Sequence, residues 1–249
     1  MTLTSFVFWT VLGLFICLFN LYLTTAVLHR GLCHRAIRYP AWLSRLVAAW
    51  LWLTVCVPPL TWIATHRFHH AVSDSEEDPH APGRKGFLKV LLLTWYYVPN
   101  WFRSRREFAW SGYLKGFEGL RFLSFLDHPT VAQANFYSQV IVSVVLGPAA
   151  VVFWVARIVP YMILSGYVNA AGHTLGDRPY ANLGTDARGL FQRSMAYLTA
   201  GEPLGHNYHH RFPASPSFLP NGFDPGFWFS VKILRGRPKQ GRDEVRDPA

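Results

Sequence analysis

The pattern H-x-x-H-H occurs twice in this chain, as His66-Arg67-Phe68-His69-His70 and as His206-Asn207-Tyr208-His209-His210. Two further histidine sites accompany it: His29-Arg30-Gly31-Leu32-Cys33-His34, and Asn169-Ala170-Ala171-Gly172-His173. The four sites use nine of the eleven histidines. Imidazole ligates first-row transition metals near neutral pH. Nine imidazoles exceed the needs of one ion and suit two. This feature constrains the fold most, because long apolar stretches separate the sites. If all four serve one metal cluster, all must lie on the same side of any membrane the chain crosses.

The chain does have membrane character. Only 15% of its 249 residues are charged, against about 25% in an ordinary soluble domain. Ten Trp and eleven Tyr suit membrane–water interfaces. Segment 6–28 has no charged residue and is long enough to span. Segment 41–63 is apolar but broken by Arg45 and Pro58-Pro59. It lies between the first two sites, and a straight crossing would part them by about 30 Å of hydrocarbon. It must therefore lie in the interface, re-enter or bend back. Segment 87–103 is amphipathic and aromatic.

Segment 134–172 must cross twice, and the turn is expected near Arg157–Pro160 rather than at Gly147-Pro148. The expectation is an all-α integral membrane protein, one domain over 1–249. It has three spans (6–28, about 135–154 and about 158–172), interfacial helices and a histidine-rich di-metal cap. Lys and Arg concentrate in residues 29–130 and 173–249, so the positive-inside rule puts the cap in the cytosol and the N-terminus outside. That N-terminus reads as a retained anchor, with no positive n-region or clear cleavage site.

On a helix, positions i, i+3 and i+4 share a face, so two H-x-x-H-H triads facing each other can embrace a dinuclear centre. Asn169 and His173 also share a face. Asn169 either binds metal through water or orients a ligand. His29 and His34, five residues apart, diverge on an ideal helix, and Gly31 would ease a distortion there. His80 and His128 lack such spacing. Cys33 reads as a packing residue, because the histidines supply enough donors. Glu202 and the acidic run Asp74–Asp78 do not match the Glu-x-x-His spacing of soluble di-iron bundles. A zinc site normally closes with four ligands. The net charge of +10 comes with no standard nucleic-acid-binding motif, so anionic lipid or a phosphate-bearing substrate is the expected counterpart, not nucleic acid.

At these residues the chain resembles the membrane fatty acid desaturases, especially the stearoyl-CoA (acyl-CoA delta-9) branch, from about residue 12 to 235. His29-Arg30 with His34-Arg35 resembles the first box of that family. Trp62 stands four residues before His66, as an aromatic does in that branch. Asp78-Pro79-His80 with Arg84-Lys85-Gly86-Phe87, Asn169 with His173 and Arg178-Pro179-Tyr180, and Gly201-Glu202 leading to His206 and Phe212-Pro213 complete the match. By this resemblance the chain begins at the family's second span. Gly201 to His206 is one residue longer than in that branch.

The resemblance implies two iron ions held by His29, His34, His66, His69, His70, His173, His206, His209 and His210, with Asn169 contacting through water. It implies O2 as co-substrate and formation of a cis double bond in a long acyl chain, carried as acyl-CoA or acyl-lipid. Electrons would come from a separate donor of ferredoxin or cytochrome b5 type with its reductase.

A tunnel should order the acyl chain. Trp62 is expected in its wall, and Leu21 (with Cys17 and Thr25) at its depth limit. Arg84 and Lys85 are expected to hold phosphates of coenzyme A or a lipid head group. The competing readings are a related lipid hydroxylase or ketolase, a bis-histidine haem protein and a metal transporter. Transport would place ligands inside the spans, along a pathway.

Overall fold

The computed structural model describes residues 1–103, 112–117, 121–181, 184–219 and 221–239. Residues 105 and 106, two of the arginines behind the expected orientation, lie outside the described residues.

Helix α1 (Leu3–Leu23) starts where the Thr2 hydroxyl accepts the Ser5 N–H at 3.2 Å, and it carries no charged side chain. It continues as a π-helix over Thr24–Cys33. The combined 31 residues are long and apolar enough to cross a membrane. Leu3, Phe8, Val11 and Phe15 are exposed along it, as lipid contact requires.

Helices α2 (Ala41–Val55) and α3 (Pro59–Val72) meet at 95°. Cys56 takes φ +56° at the bend, and the prolines after it cannot continue α2. The Asp127 carboxylate accepts the Leu60 and Thr61 N–H groups at 2.7 and 2.6 Å, satisfying the start of α3. The bend returns the second histidine site to the side of the first, as their separation demanded. Asn20 anchors α2 to α1: its carbonyl accepts from Trp50 Nε1 at 2.8 Å and from Thr54 Oγ1 at 3.3 Å.

The one-turn helix α4 (Pro82–Lys85) leads into α5 (Phe87–Arg103), and α6 (Arg121–Leu126) precedes α7 (Pro129–Leu146). Helix α8 (Pro148–Gly172) is the scaffold on which α1, α5 and α7 pack. The turn expected at Arg157–Pro160 is not there, and the expected spans of about 135–154 and 158–172 are corrected accordingly. The chain reverses at Gly147, whose φ of +93° a glycine adopts without cost, and Pro148 opens the next helix at its first position. Helix α8 then runs 25 residues through Pro160, a break that packed membrane helices tolerate.

Arg157 marks no helix end. It donates to Gln139 Oε1 on α7 at 2.8 Å and lies 5.0 Å over the Phe153 ring. Among the described residues, two helices are long and apolar enough to cross, and the bent pair is a third candidate. The protein is an all-α membrane protein.

The remaining elements cover the site. They are α9 (Leu190–Leu198), α10 (His206–Arg211) and α11 (Pro225–Trp228), the last running into a short π-helix over Phe229–Ile233. Strand β1 (Ile37–Arg38) pairs antiparallel with β2 (Arg237–Pro238), which fastens the C-terminal segment beside the end of the first span.

Candidate metal centre

The π-helix solves the spacing problem of the first site. The His34 N–H donates to His29 O at 3.0 Å, an i→i+5 bond that turns residues five apart toward one side. Their rings come to 4.9 Å, and both join the same cluster.

The triads divide their members. His29, His34, His66, His70 and His209 converge in one cluster, and His69, His173, His206 and His210 in a second. In each triad the i and i+4 histidines stay together, one turn apart, while the i+3 histidine crosses to the other cluster. The triads meet where the His70 and His210 rings stack at 4.2 Å. The approach to His206 runs through a 3₁₀ turn, Glu202–Gly205, and this ring reaches His173 at 3.0 Å.

The distances suit metal ligands. In the first cluster, Nε2 atoms stand 3.0 Å apart for His34–His66, His66–His70 and His70–His209, and 2.9 Å for His29–His209. In the second they stand 3.0 Å for His69–His173 and His173–His206, and 3.2 Å for His206–His210. Two nitrogens about 2.1 Å from one ion, at a right angle, stand about 3.0 Å apart.

Protonation gives the same answer. His69 Nδ1 faces Asp78 at 2.9 Å and His173 Nδ1 faces Asp74 at 3.0 Å. With both rings neutral, each donates its one proton there, which leaves two Nε2 lone pairs facing each other. Lone pairs at that distance repel unless a cation lies between them. Burial, reinforced by the neighbouring imidazoles, holds His206, His209 and His210 well below the usual histidine range. They are thus kept in the neutral form that binds metal.

Sequence spacing missed the carboxylates, because they act one shell out from the histidines. Glu202 Oε1 stands 2.8 Å from His29 Nδ1, beside the Asp78 and Asp74 contacts. Such partners fix ring orientation and raise ligand basicity. They also supply negative charge that an all-imidazole shell lacks. Burial alone would raise the Asp78 pKa; its hydrogen bond and proximity to His69 outweigh that and bring it down to about 2. Its oxygens also accept the Asp74 and His80 N–H groups, both at 2.8 Å, which folds the acidic run into a loop around the second cluster. His80, set aside for its spacing, is buried with its ring 5.2 Å from His69. His128 is exposed ahead of α7, and Cys33 packs in the core outside both clusters.

A buried ion pair supports the first cluster. Arg30, fully buried in the π-helix, donates to both Asp224 oxygens at 2.9 and 3.1 Å and lies 4.0 Å over Phe218. Asp224 also accepts the Phe218 and Phe227 N–H groups. This draws the C-terminal segment in and sets the Phe218 ring 4.3 Å from His209. The repeated histidine pattern contains no hint of this contact.

A cavity of about 570 Å³ reaches both clusters: His29 and His66 line it from the first, His206 from the second. Its wall includes Trp62, stacked on His66 at 5.2 Å, and Leu21, Thr25, Tyr161 and Asn169. The Asn169 side chain donates to Ser165 O at 3.4 Å, one turn back on α8. Cys17 is buried in the core and is not part of the wall. Arg84 and Lys85 sit away from the wall, at the surface beside Glu76; Arg84 pairs with its carboxylate at 3.8 Å and Lys85 Nζ donates to its carbonyl at 3.3 Å.

Fold and site together define a membrane protein whose helices gather a histidine-rich, metal-compatible centre beside an apolar cavity. The profile of the fatty acid desaturase family matches residues 4–219, and the chain belongs to that family. It is 41% identical over 93 residues to Delta-9 acyl-lipid desaturase 2 of Arabidopsis thaliana, covering 37% of this chain and 27% of that one. It is 30% identical over 229 residues to the chloroplastic palmitoyl-monogalactosyldiacylglycerol delta-7 desaturase of the same plant, covering 87% and 58%. The acyl-CoA C20 Delta5-desaturase of Anemone leveillei is 29% identical over 237 residues, 91% and 70% of the two chains. The chain thus spans little more than half of the second relative's length and about a quarter of the first's. These relatives differ in acyl carrier and in double-bond position, so the acyl-CoA delta-9 branch is not singled out.

Proposed function

We propose that this chain, as a single domain, is an oxygen-dependent desaturase that introduces a cis double bond into a long acyl chain. The observation that carries the reading is the cavity whose wall includes ligand-type histidines of both clusters. An unactivated C–H bond has no acidity for a base to exploit, so the chemistry must be oxidative.

Two iron ions held by the nine histidines would supply oxygen activation and that oxidising power. The rest falls to the protein. Trp62, Leu21 and Tyr161 give the acyl chain an apolar, water-poor wall and present adjacent methylenes to the clusters. Glu202, Asp78 and Asp74 hold the Nδ1 protons of His29, His69 and His173, which keeps the Nε2 atoms free to bind metal. Asn169, on the cavity wall, would contact a bound ion through a water molecule.

The reaction balances as follows. Two C–H bonds break and one C=C bond forms, releasing two electrons and two protons. A donor of ferredoxin or cytochrome b5 type adds two electrons, and solvent adds two protons. O2 is reduced to two waters. The basic residues around the site suit a cytosolic orientation. The acyl chain arrives on coenzyme A or a membrane lipid, with Arg84 and Lys85 holding its phosphates at the surface.

The test is gas chromatography–mass spectrometry of total fatty acids from cells expressing the chain, beside His69→Ala. A new monounsaturated acid in the first and not in the second supports the reading. A hydroxy or keto acid moves it to a related oxygenase, and a chain that holds no iron overturns it.

A further inference from the structure

On another side of the first cluster lies a groove of about 720 Å³, lined by Cys33, His34, Arg35, Arg67, His70, Lys115, Gly116, Pro213 and Ala214. It shares no described lining residue with the acyl cavity. Both reach the same five-imidazole cluster, the cavity at His29 and His66 and the groove at His34 and His70. His34 and His70 are partly exposed, whereas His29 and His209 are buried.

The groove is strongly basic: Arg35, Arg67 and Lys115 line it, and its described lining includes no Asp or Glu. The two guanidiniums are held in place by carbonyls and an aromatic ring. Arg67 donates to Cys33 O at 2.7 Å and Tyr113 O at 2.9 Å, and Arg35 to Lys115 O at 3.3 Å. Both lie over the Phe117 ring, at 5.2 and 5.8 Å. Gly116, at φ +89°, runs so close to the Arg35 guanidinium that a Cβ there would clash with it. The two guanidinium charges are therefore held beside an opening that ends on two cluster histidines, with the exposed Lys115 at its edge.

We propose that this groove is the docking surface for an acidic one-electron carrier protein, with His34 and His70 as the edge at which electrons enter. The proposal rests on the desaturase reading, whose balance needs two electrons per double bond from outside. Each encounter oxidises the carrier by one electron, so two encounters serve one turnover. Complementary charge steers such short-lived encounters. Delivery from this side leaves the acyl chain undisturbed in its cavity.

The probe is an acidic plant-type [2Fe–2S] ferredoxin, added to the purified iron-loaded chain. Carbodiimide cross-linking should join its carboxylates to Lys115, mapped by peptide mass spectrometry. Binding should weaken as salt rises. Arg35→Glu and Lys115→Glu should each weaken it by about tenfold, and Lys232→Glu, at an exposed residue outside the groove, should leave it unchanged. Lys115 is exposed, so its variant keeps the test readable if Arg35→Glu misfolds. Cross-links confined to Lys85, Lys89 or Lys232, or unaltered affinity in both groove variants, overturn the proposal. So does selective loss of binding to phosphatidylglycerol vesicles, which would make the groove a lipid head-group site. A single turnover, with the chain reduced anaerobically by dithionite and then given O2, separates the two readings. A double bond there with no groove dependence removes only the docking surface; no double bond removes the desaturase reading and this proposal with it.

Discussion

The five-imidazole and four-imidazole clusters draw on the same two triads but are enclosed differently. In the first, His34, His66 and His70 are partly exposed, and Glu202 is the carboxylate that braces it, through His29. In the second, His69, His173 and His206 are buried, and both Asp78 and Asp74 brace it. The cavity reaches both clusters, whereas the basic groove opens on the first. A repeated motif therefore sets which atoms converge, and the intervening segments decide what can approach them. The first cluster is the more open of the two and the second the more enclosed.

Ligand removal tests that contrast most severely. His69→Ala should cost the second cluster its ion while the first keeps its own, lowering iron from about two to about one per chain. Product should fall by more than about 100-fold, beyond what loss of an outer partner costs. Elemental analysis and product analysis read the two effects. Equal loss of both ions would mean that the clusters form one unit and the comparison fails.

Next comes the buried ion pair beside the first cluster. Arg30→Ala leaves Asp224 buried without its charge partner, a change that costs about 3–5 kcal/mol. Phe218 would lose its hold next to His209. A clear fall in the thermal unfolding midpoint is expected, with iron loss beginning at the first cluster. A midpoint unchanged within error would show that this pair adds nothing to the support.

The carboxylates should give a graded series. Asp78→Asn should weaken iron binding at the second cluster by about 10- to 100-fold. Asp74→Asn should do less, because its side chain is 18% exposed while that of Asp78 is fully buried. Chelator competition, followed by elemental analysis, would rank them. The reverse order would mean that burial does not set the strength of these partners.

The same residues mark what was legible in the sequence. The triads were, because positions i, i+3 and i+4 share a face of any α-helix. Their division between two clusters follows from that geometry once both triads are in place. His29 and His34 were legible as a pair of candidate ligands but not as neighbours, since only the π-helix brings their rings into one cluster. Glu202 and Asp224 make their contacts 173 and 194 residues away from their partners, and no local pattern encodes such distances. The hairpin had two candidate turns, Gly-Pro and Arg-x-x-Pro. The chain uses the one that offers a positive φ, while Arg157 finds its partner on the neighbouring helix.

The smallest change to the clusters should come from Leu21→Trp, and it asks whether the cavity can be altered while both stay intact. Leu21 lies eight residues before His29, about 12 Å along a helix, and it faces the cavity. An indole there would occupy room that the acyl chain needs. The product profile should shift toward shorter acids, with iron content unchanged and stability lowered by about 1–3 kcal/mol. Cys17→Trp is the matched control. Cys17 is 1% exposed and packed in the core, away from the cavity wall, so its variant should destabilise without shortening the product. An unchanged profile for Leu21→Trp would mean that the chain end lies elsewhere in the cavity. A shift for Cys17→Trp alone would place that end deeper along α1 than the cavity now reaches.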